Sequence, residues 1–173
     1  MRSKIVKIEN LKSLINKLKL KNKKIVHCHG VFDVVHIGHL KHFEEAKKRG
    51  DKLIVTVTSD KYVNKGSGRP IFKQNKRIEF LSHISCIDYV CLSESASAIS
   101  VLKIIKPNFY IKGQDYKFSK EDKTGKINFE KKAVENYGGK IIFTNEETFS
   151  SSNIINNNFK FNDEQSKFLK TIS

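Results

Sequence analysis

The sequence predicts one α/β domain built on a mainly parallel, doubly wound sheet. Short β-rich runs alternate with segments of helical period from residue 25 onward, the pattern that strand–helix–strand crossovers produce. At 173 residues and 38% hydrophobic content, the chain can bury one substantial core and is too short to favour two full domains. The segments after the β-rich runs, 30–39, 59–68, 112–116 and 145–153, are the richest in glycine, serine, lysine and histidine. In a doubly wound sheet such segments share one rim beyond the carboxyl ends of the strands, where ligands bind.

Each element has its own signal. Leu11, Leu14, Ile15 and Leu18 repeat at helical spacing after Asn10, a candidate N-cap, and a lysine-rich turn follows at 19–24. The first expected strand is "IVHCH" (25–29), then a helix over about 38–49, then the strand "KLIVTVTS" (52–59). A helix near 74–84, the strand "DYVCL" (88–92), a helix near 96–105 and the strand "NFYIKG" (108–113) come next. A helix near 128–137, the strand "KIIFT" (140–144) and a short helix after Ser152 complete a five-stranded sheet with flanking helices. Residues 114–126 form a long polar connection, either a lid or a solvated loop. The expected division is an N-terminal amphipathic helix and basic turn at 1–24, the main domain at 25–155, and a C-terminal extension or linker at 156–173.

Composition narrows the function classes. No apolar stretch approaches the roughly 20 residues that span a bilayer, and the first 24 residues lack a signal peptide's apolar run and cleavage site. The expectation is a cytoplasmic protein with no membrane partner. Cys28, Cys86 and Cys91 are odd in number and contain no C-x-x-C pair, so reduced thiols are expected and neither a disulfide framework nor a cysteine zinc site is suggested. The net charge is +15, which attracts nucleic acid, anionic membrane or phosphorylated small molecules. Residues 1–24 carry nine basic side chains and the single acid Glu9, 9 − 1 = 8 of that excess. Only Arg2, Arg49, Arg69 and Arg77 are arginines among the 33 basic residues. Base-edge and bidentate phosphate recognition favour the guanidinium fork, which argues against nucleic-acid binding as the main role.

Five of six histidines lie between positions 27 and 42. His27 and His29 share one face of a strand; His36, His39 and His42 repeat every three residues. A metal site fits poorly, because the spacing lacks the glutamate and the i, i+4 geometry of H-E-x-x-H and the usual three-ligand zinc set. Core burial suits a single histidine better than two around Gly38. The third reading is a phosphate site: a glycine lets phosphate approach the backbone at a helix N-terminus, and imidazoles at i and i+3 project from one side of the first turn. Histidine donates hydrogen bonds there and can accept charge as it develops.

The ten residues "GVFDVVHIGH" (30–39) resemble the G-x-F-D-x-x-H-x-G-H signature of the cytidylyltransferase-like nucleotidyltransferases, and the likeness extends over about 10–155. Within that superfamily "GSGRP" (66–70), "IKGQDY" (111–116) and "SSSNII" (150–155) are most similar to the heptose-1-phosphate adenylyltransferase domain of bacterial ADP-heptose synthases. The cytidylyltransferases instead carry an arginine-threonine-glutamate-glycine-isoleucine-serine-threonine segment where this chain has "NEETFSSSNI".

The resemblance implies a Rossmann-like fold and transfer of a nucleotidyl group from a nucleoside triphosphate, with its Mg²⁺, to a phosphorylated acceptor, releasing pyrophosphate. ATP with a heptose-type sugar 1-phosphate is the preferred pair; CTP with a phosphorylated polyol, amino alcohol or phosphonate is the alternative, and a nucleic-acid-binding protein the alternative of another class. It implies His36, His39 and Lys65 as catalytic residues. Gly30, Val31, Phe32, Gly38, Arg77, Lys112, Gly113, Asp115, Ser150, Ser151 and Ser152 are the implied nucleotide-binding residues, and Asp33 and Arg69 the substrate-binding ones. No metal ligand in the chain is expected. Bland roles stand beside several of these: Arg77 as a surface ion pair with Asp88 or Glu79, Lys65 as a solvent-exposed lysine, Asp115 as a turn residue, and the serines as a helix cap. A homodimer and a fused or partner kinase domain are compatible with the resemblance.

Overall fold

The computed structural model describes residues 3–66, 68–113 and 126–144. Strands β1 (Ile5–Val6), β2 (Ile25–Gly30), β3 (Lys52–Thr58), β4 (Tyr89–Ser93), β5 (Phe109–Lys112) and β6 (Lys140–Phe143) form one sheet in the order β1-β4-β3-β2-β5-β6. Every pairing is parallel. Helices α1 (Ile8–Leu20), α2 (Ile37–Lys47), α3 (Gln74–Ser82), α4 (Ile99–Ile105) and α5 (Lys126–Glu135) flank it, with a 3-10 turn at Asp60–Tyr62.

The alternation of side chains along each strand builds two cores. On one face Val26, Cys28, Leu53, Val55, Val57, Val90 and Ile111 meet Phe43 and Ala46 of α2 and Ile78 and Leu81 of α3. On the other, Ile25, Ile54, Cys91 and Tyr110 meet Leu11, Ile15 and Leu18 of α1, three residues of α4 and Val134 of α5. Burial on both faces is why the strands read as nearly continuous apolar runs rather than alternating ones.

The chain leaves β2 toward β3 and β4, then returns through α4 to place β5 on the other side of β2. The sheet therefore reverses its winding between β2 and β5, the position at which open α/β sheets bind ligands.

Two sequence expectations change. The sheet has six strands, not five: β1 is only two residues long, too short to show a period, and is held by pairing with β4 at Ile5 and Val6. Helix α1 begins earlier than its apolar repeat, with Lys7 at the N-cap and no side-chain cap bond, so Asn10 lies inside the first turn with its N–H on the Lys7 carbonyl.

Candidate active site

The signature turn lies where β2 ends. Phe32 has φ +50°, in the left-handed region that side chains rarely occupy, and its ring folds back over Gly30. A Cβ on Gly30 would stand 3.0–3.3 Å from three Phe32 ring carbons, so the glycine is required by this close approach. The Phe32 ring lies edge-on to His39, centroids 5.5 Å apart, and against Phe43 at 5.2 Å. Its side chain belongs to the core and backs His39.

His36 is the N-cap of α2, in extended backbone, and His39 is the third residue of the helix. Their rings are 4.0 Å apart, and the His36 backbone N–H donates to His39 Nδ1 at 3.4 Å. A neutral imidazole that accepts at Nδ1 carries its proton on Nε2, so His39 offers Nε2–H as a donor. The first turn of α2, with Gly38 inside it, holds no acid, and its free N–H groups favour an anion. Burial, then the charges of His36, His42 and Lys65, push the His39 pKa down to about 3; burial also lowers that of His36. Lys65 thus lies near enough for its charge to act on His39.

Behind these residues Arg77 fastens the rim. Its Nε donates to the Phe72 carbonyl at 2.9 Å, Nη1 to the Val31 carbonyl, and Nη2 to the Thr58 carbonyl at 2.9 Å and to Asp60 Oδ1 at 2.7 Å. Only 1% of Arg77 is exposed. Four of its five N–H donors therefore hold protein oxygens, which makes Arg77 a brace of the rim. Its ion pair is with Asp60, not with Asp88 or Glu79; Asp88 is taken by Lys47 and Lys52, and Glu79 by Lys76.

Asp33 and Arg69 meet each other. Arg69 Nε donates to Asp33 Oδ2 at 2.6 Å, and Asp33 Oδ1 accepts the Phe72 N–H at 3.0 Å. These bonds hold the Asp33 carboxyl below its usual pKa against the opposing effect of burial. The pair ties the end of the Lys65 segment to the signature turn, and leaves Arg69 Nη2 buried with no hydrogen-bond acceptor among the described residues.

Across the switch point, Lys112 ends β5. Its Nζ lies 3.1 Å from Glu130 Oε2 and 5.3 Å from the Tyr110 ring centre. Its carbonyl accepts both the N–H and the hydroxyl of Thr144. Because that hydroxyl donates to Lys112, it accepts from His42 Nδ1, 3.0 Å away. His42 so links α2 to β5 and β6. Burial and then Lys112 lower its pKa to about 4. Deeper in the sheet, Thr56 Oγ1 lies 2.8 Å from both His27 Nε2 and His29 Nδ1, and Thr58 Oγ1 is 3.3 Å from His29 Nε2. These hydroxyls meet His27 Nε2 and both ring nitrogens of His29, two strand histidines whose charged forms burial disfavours.

The structure therefore gathers Gly30, Val31, Phe32, Asp33, His36, Gly38, His39, Arg69 and Arg77 around the β2–α2 turn, with Lys112 and Gly113 at the neighbouring strand end. Asp115, Ser150, Ser151 and Ser152 lie outside the described residues, as do the connection at 114–125 and the extension at 156–173. Among the described residues, no three His, Cys, Asp or Glu side chains are arranged to hold a metal ion, and no helix is long and apolar enough to cross a membrane. Sequence reasoning missed Glu130, His42 and Thr144. Glu130 had a signal: it is a lone acid on the apolar stripe of α5, between Ile127 and Val134.

Residues 27–157 match the family described as Cytidylyltransferase-like. The chain belongs to that family. A protein named Bifunctional protein HldE from Geobacter metallireducens is 35% identical over 156 residues, covering 88% of this chain and 30% of that protein. Another of the same name, from Aliarcobacter butzleri, is 40% identical over 116 residues, 66% of this chain and 24% of that protein. The chain thus spans less than a third of the curated relatives it matches. Among solved structures, the lipopolysaccharide core biosynthesis protein from Thermoplasma volcanium superposes with a TM-score of 0.61 at 26% identity, covering 73% of this chain and 99% of that one. Pantoate-beta-alanine ligase from Francisella tularensis, complexed with β,γ-ATP and β-alanine, gives 0.59 at 17% identity, covering 96% and 85%. At that identity the likeness is one of fold. Together with the HldE relatives, family membership makes the chain an enzyme of the nucleotidyltransferase class.

Proposed function

We propose that this cytidylyltransferase-like domain transfers AMP from ATP to a heptose-type sugar 1-phosphate, releasing pyrophosphate and supplying an activated sugar for surface polysaccharide. An oxygen of the acceptor phosphate attacks the α-phosphorus; the bond from that phosphorus to the bridging oxygen of the β-phosphate breaks, and pyrophosphate leaves with both electrons of that bond. No covalent enzyme intermediate is required.

The observation that carries this reading is the start of α2: two adjacent imidazoles, one with its Nε2–H fixed by a backbone bond, at an acid-free helix N-terminus beside a sheet switch point. Negative charge grows on the α-phosphoryl oxygens in the transition state, and preorganised donors aimed there lower the barrier. His36 and His39 take that role, with Lys65 bridging nucleotide and acceptor phosphates and Mg²⁺ arriving as part of the nucleotide substrate. Gly30, Val31, Gly38, Lys112, Gly113, Asp115 and the serines at 150–152 hold the nucleotide. Arg69, anchored by Asp33, takes the acceptor side. The names of the relatives, HldE and a lipopolysaccharide core protein, favour a heptose-type acceptor. Their length and the word bifunctional favour a second activity, a kinase, fused to or partnering this domain.

A pyrophosphate-release assay crossing ATP, CTP, GTP and UTP with sugar and alcohol phosphates tests the reading. ATP with heptose 1-phosphate should give the highest kcat/KM. Preference for CTP with a polyol or amino-alcohol phosphate would replace the substrates and keep the chemistry. Absence of turnover with every nucleotide, with salt-sensitive RNA binding retained, would overturn it.

A further inference from the structure

Glu130 belongs to α5, behind the sheet, and none of the signature segments contains it. Its side chain is buried and held by three groups from two elements: Oε1 accepts the Ala98 N–H at the start of α4 at 3.3 Å, and on β5 Oε2 accepts the Tyr110 hydroxyl at 2.9 Å and pairs with Lys112 Nζ at 3.1 Å. A carboxylate with so many donors cannot rotate without breaking several bonds at once. Tyr110 in turn stacks on His27, centroids 5.2 Å apart, so its hydroxyl is fixed as well.

Stability alone does not call for this arrangement. Desolvating a lysine and a glutamate together costs about as much as their attraction returns, and an apolar pair of similar volume is often as stable or more so. The pair is also placed at the last residue of β5, beside the switch point, rather than in mid-core. Both side chains are more than nine-tenths buried, and the charge of Lys112 acts on His27, His29 and His42 around it.

We propose that Glu130 is a positioning residue for nucleotidyl transfer, holding the Lys112 ammonium at the nucleotide end of β5 and compensating its charge in the closed interior. The inference rests on the reading that Lys112 serves the nucleotide. Its consequence is that the pair has two separable effects, one on folding through charge compensation and one on the nucleotide through placement of the cation.

Three variants separate them: Glu130→Gln, Lys112→Met, and the double Lys112→Met/Glu130→Gln. Glu130→Gln strands a buried lysine and should lower Tm by roughly 10 °C and kcat/KM for ATP at least tenfold. The double variant removes both charges; it should recover most of that Tm while kcat/KM and the affinity for Mg-ATP, read by calorimetry, stay at least tenfold down. Recovery of Tm together with normal kcat/KM or normal ATP affinity would make the pair structural only and overturn the proposal. So would Lys112→Met with wild-type kinetics. If the wild-type chain binds Mg-ATP but turns nothing over, and the double variant weakens that binding, the proposed reaction fails, and what survives of this inference is the placement of Lys112 for the nucleotide. If the wild type binds neither ATP nor CTP, both fail.

Discussion

His36 and His39 favour their neutral forms in the ligand-free protein, because burial disfavours protonating them, and a neutral imidazole still has one N–H to donate to a ligand. Removing either donor from the site of developing charge should therefore cost a factor of roughly 10²–10³ in kcat. His36→Ala and His39→Ala, assayed for pyrophosphate release, should each show that loss with a melting curve within a few degrees of wild type. Near-normal rates in both would remove them from the site. Arg77 behaves differently. Its guanidinium spans four acceptors from separate segments, which a single ammonium cannot reach together. Arg77→Lys should cost about 3 kcal/mol of unfolding free energy, in line with breaking a buried ionic network, read as a shift in the urea midpoint at constant m-value. The two histidines were legible in the sequence because their spacing around a glycine has a chemical use. The bracing contacts of Arg77 and Phe32 were not legible for one reason: a motif reports which residues recur together, not what each of them touches inside the protein.

At the scale of the element, the strand–turn–helix unit works through one contact that spacing alone does not reveal. Gly30, Phe32 and His39 lie in contact in that order, so the space beside the glycine is filled by the ring whose edge meets the His39 imidazole. Gly30→Ala would bring a methyl to 3.0–3.3 Å from the Phe32 ring and must displace it toward His39. The expected result is a loss of kcat of at least tenfold with a stability cost near 1 kcal/mol, within the range for overpacking; kinetics and denaturation on the same preparation decide it. A large stability loss with kcat preserved would mean that Phe32 moves away from His39 instead. The long elements α1 to α5 and β2 to β6 were legible because each repeats its period several times. Strand β1, two residues long, has no period to read, and the first turn of α1 uses backbone bonds where a side-chain cap was expected.

At the scale of the whole molecule, buried neutral histidines make the fold sensitive to acid. His29, His39 and His42 have folded pKa values near 3, 3 and 4, against about 6.5 in an unfolded chain. Below 6.5 the unfolded state binds protons that the folded state refuses, so stability is full above that pH and falls as pH drops toward 3 or 4. Each group contributes a slope of up to about 1.4 kcal/mol per pH unit. The midpoint in urea should hold steady between pH 8 and 7 and decline steeply from 6 to 4. A flat profile across that window would mean the histidines are solvated and titrate normally. The net charge of +15 acts over a longer range. Exposed lysines such as Lys12 and Lys17 on α1 and Lys21 at its C-cap draw a polyphosphate toward the molecule without touching it, and such steering is screened once the Debye length falls from about 14 Å at 0.05 M salt to about 4 Å at 0.5 M. Raising salt across that range should therefore lower kcat/KM for the nucleotide several-fold and leave kcat nearly unchanged, because the groups that act in the bound complex are buried or in direct contact. Replacing those three lysines by glutamate should flatten the salt dependence while sparing kcat; an unchanged slope would assign the steering to charges at the rim itself.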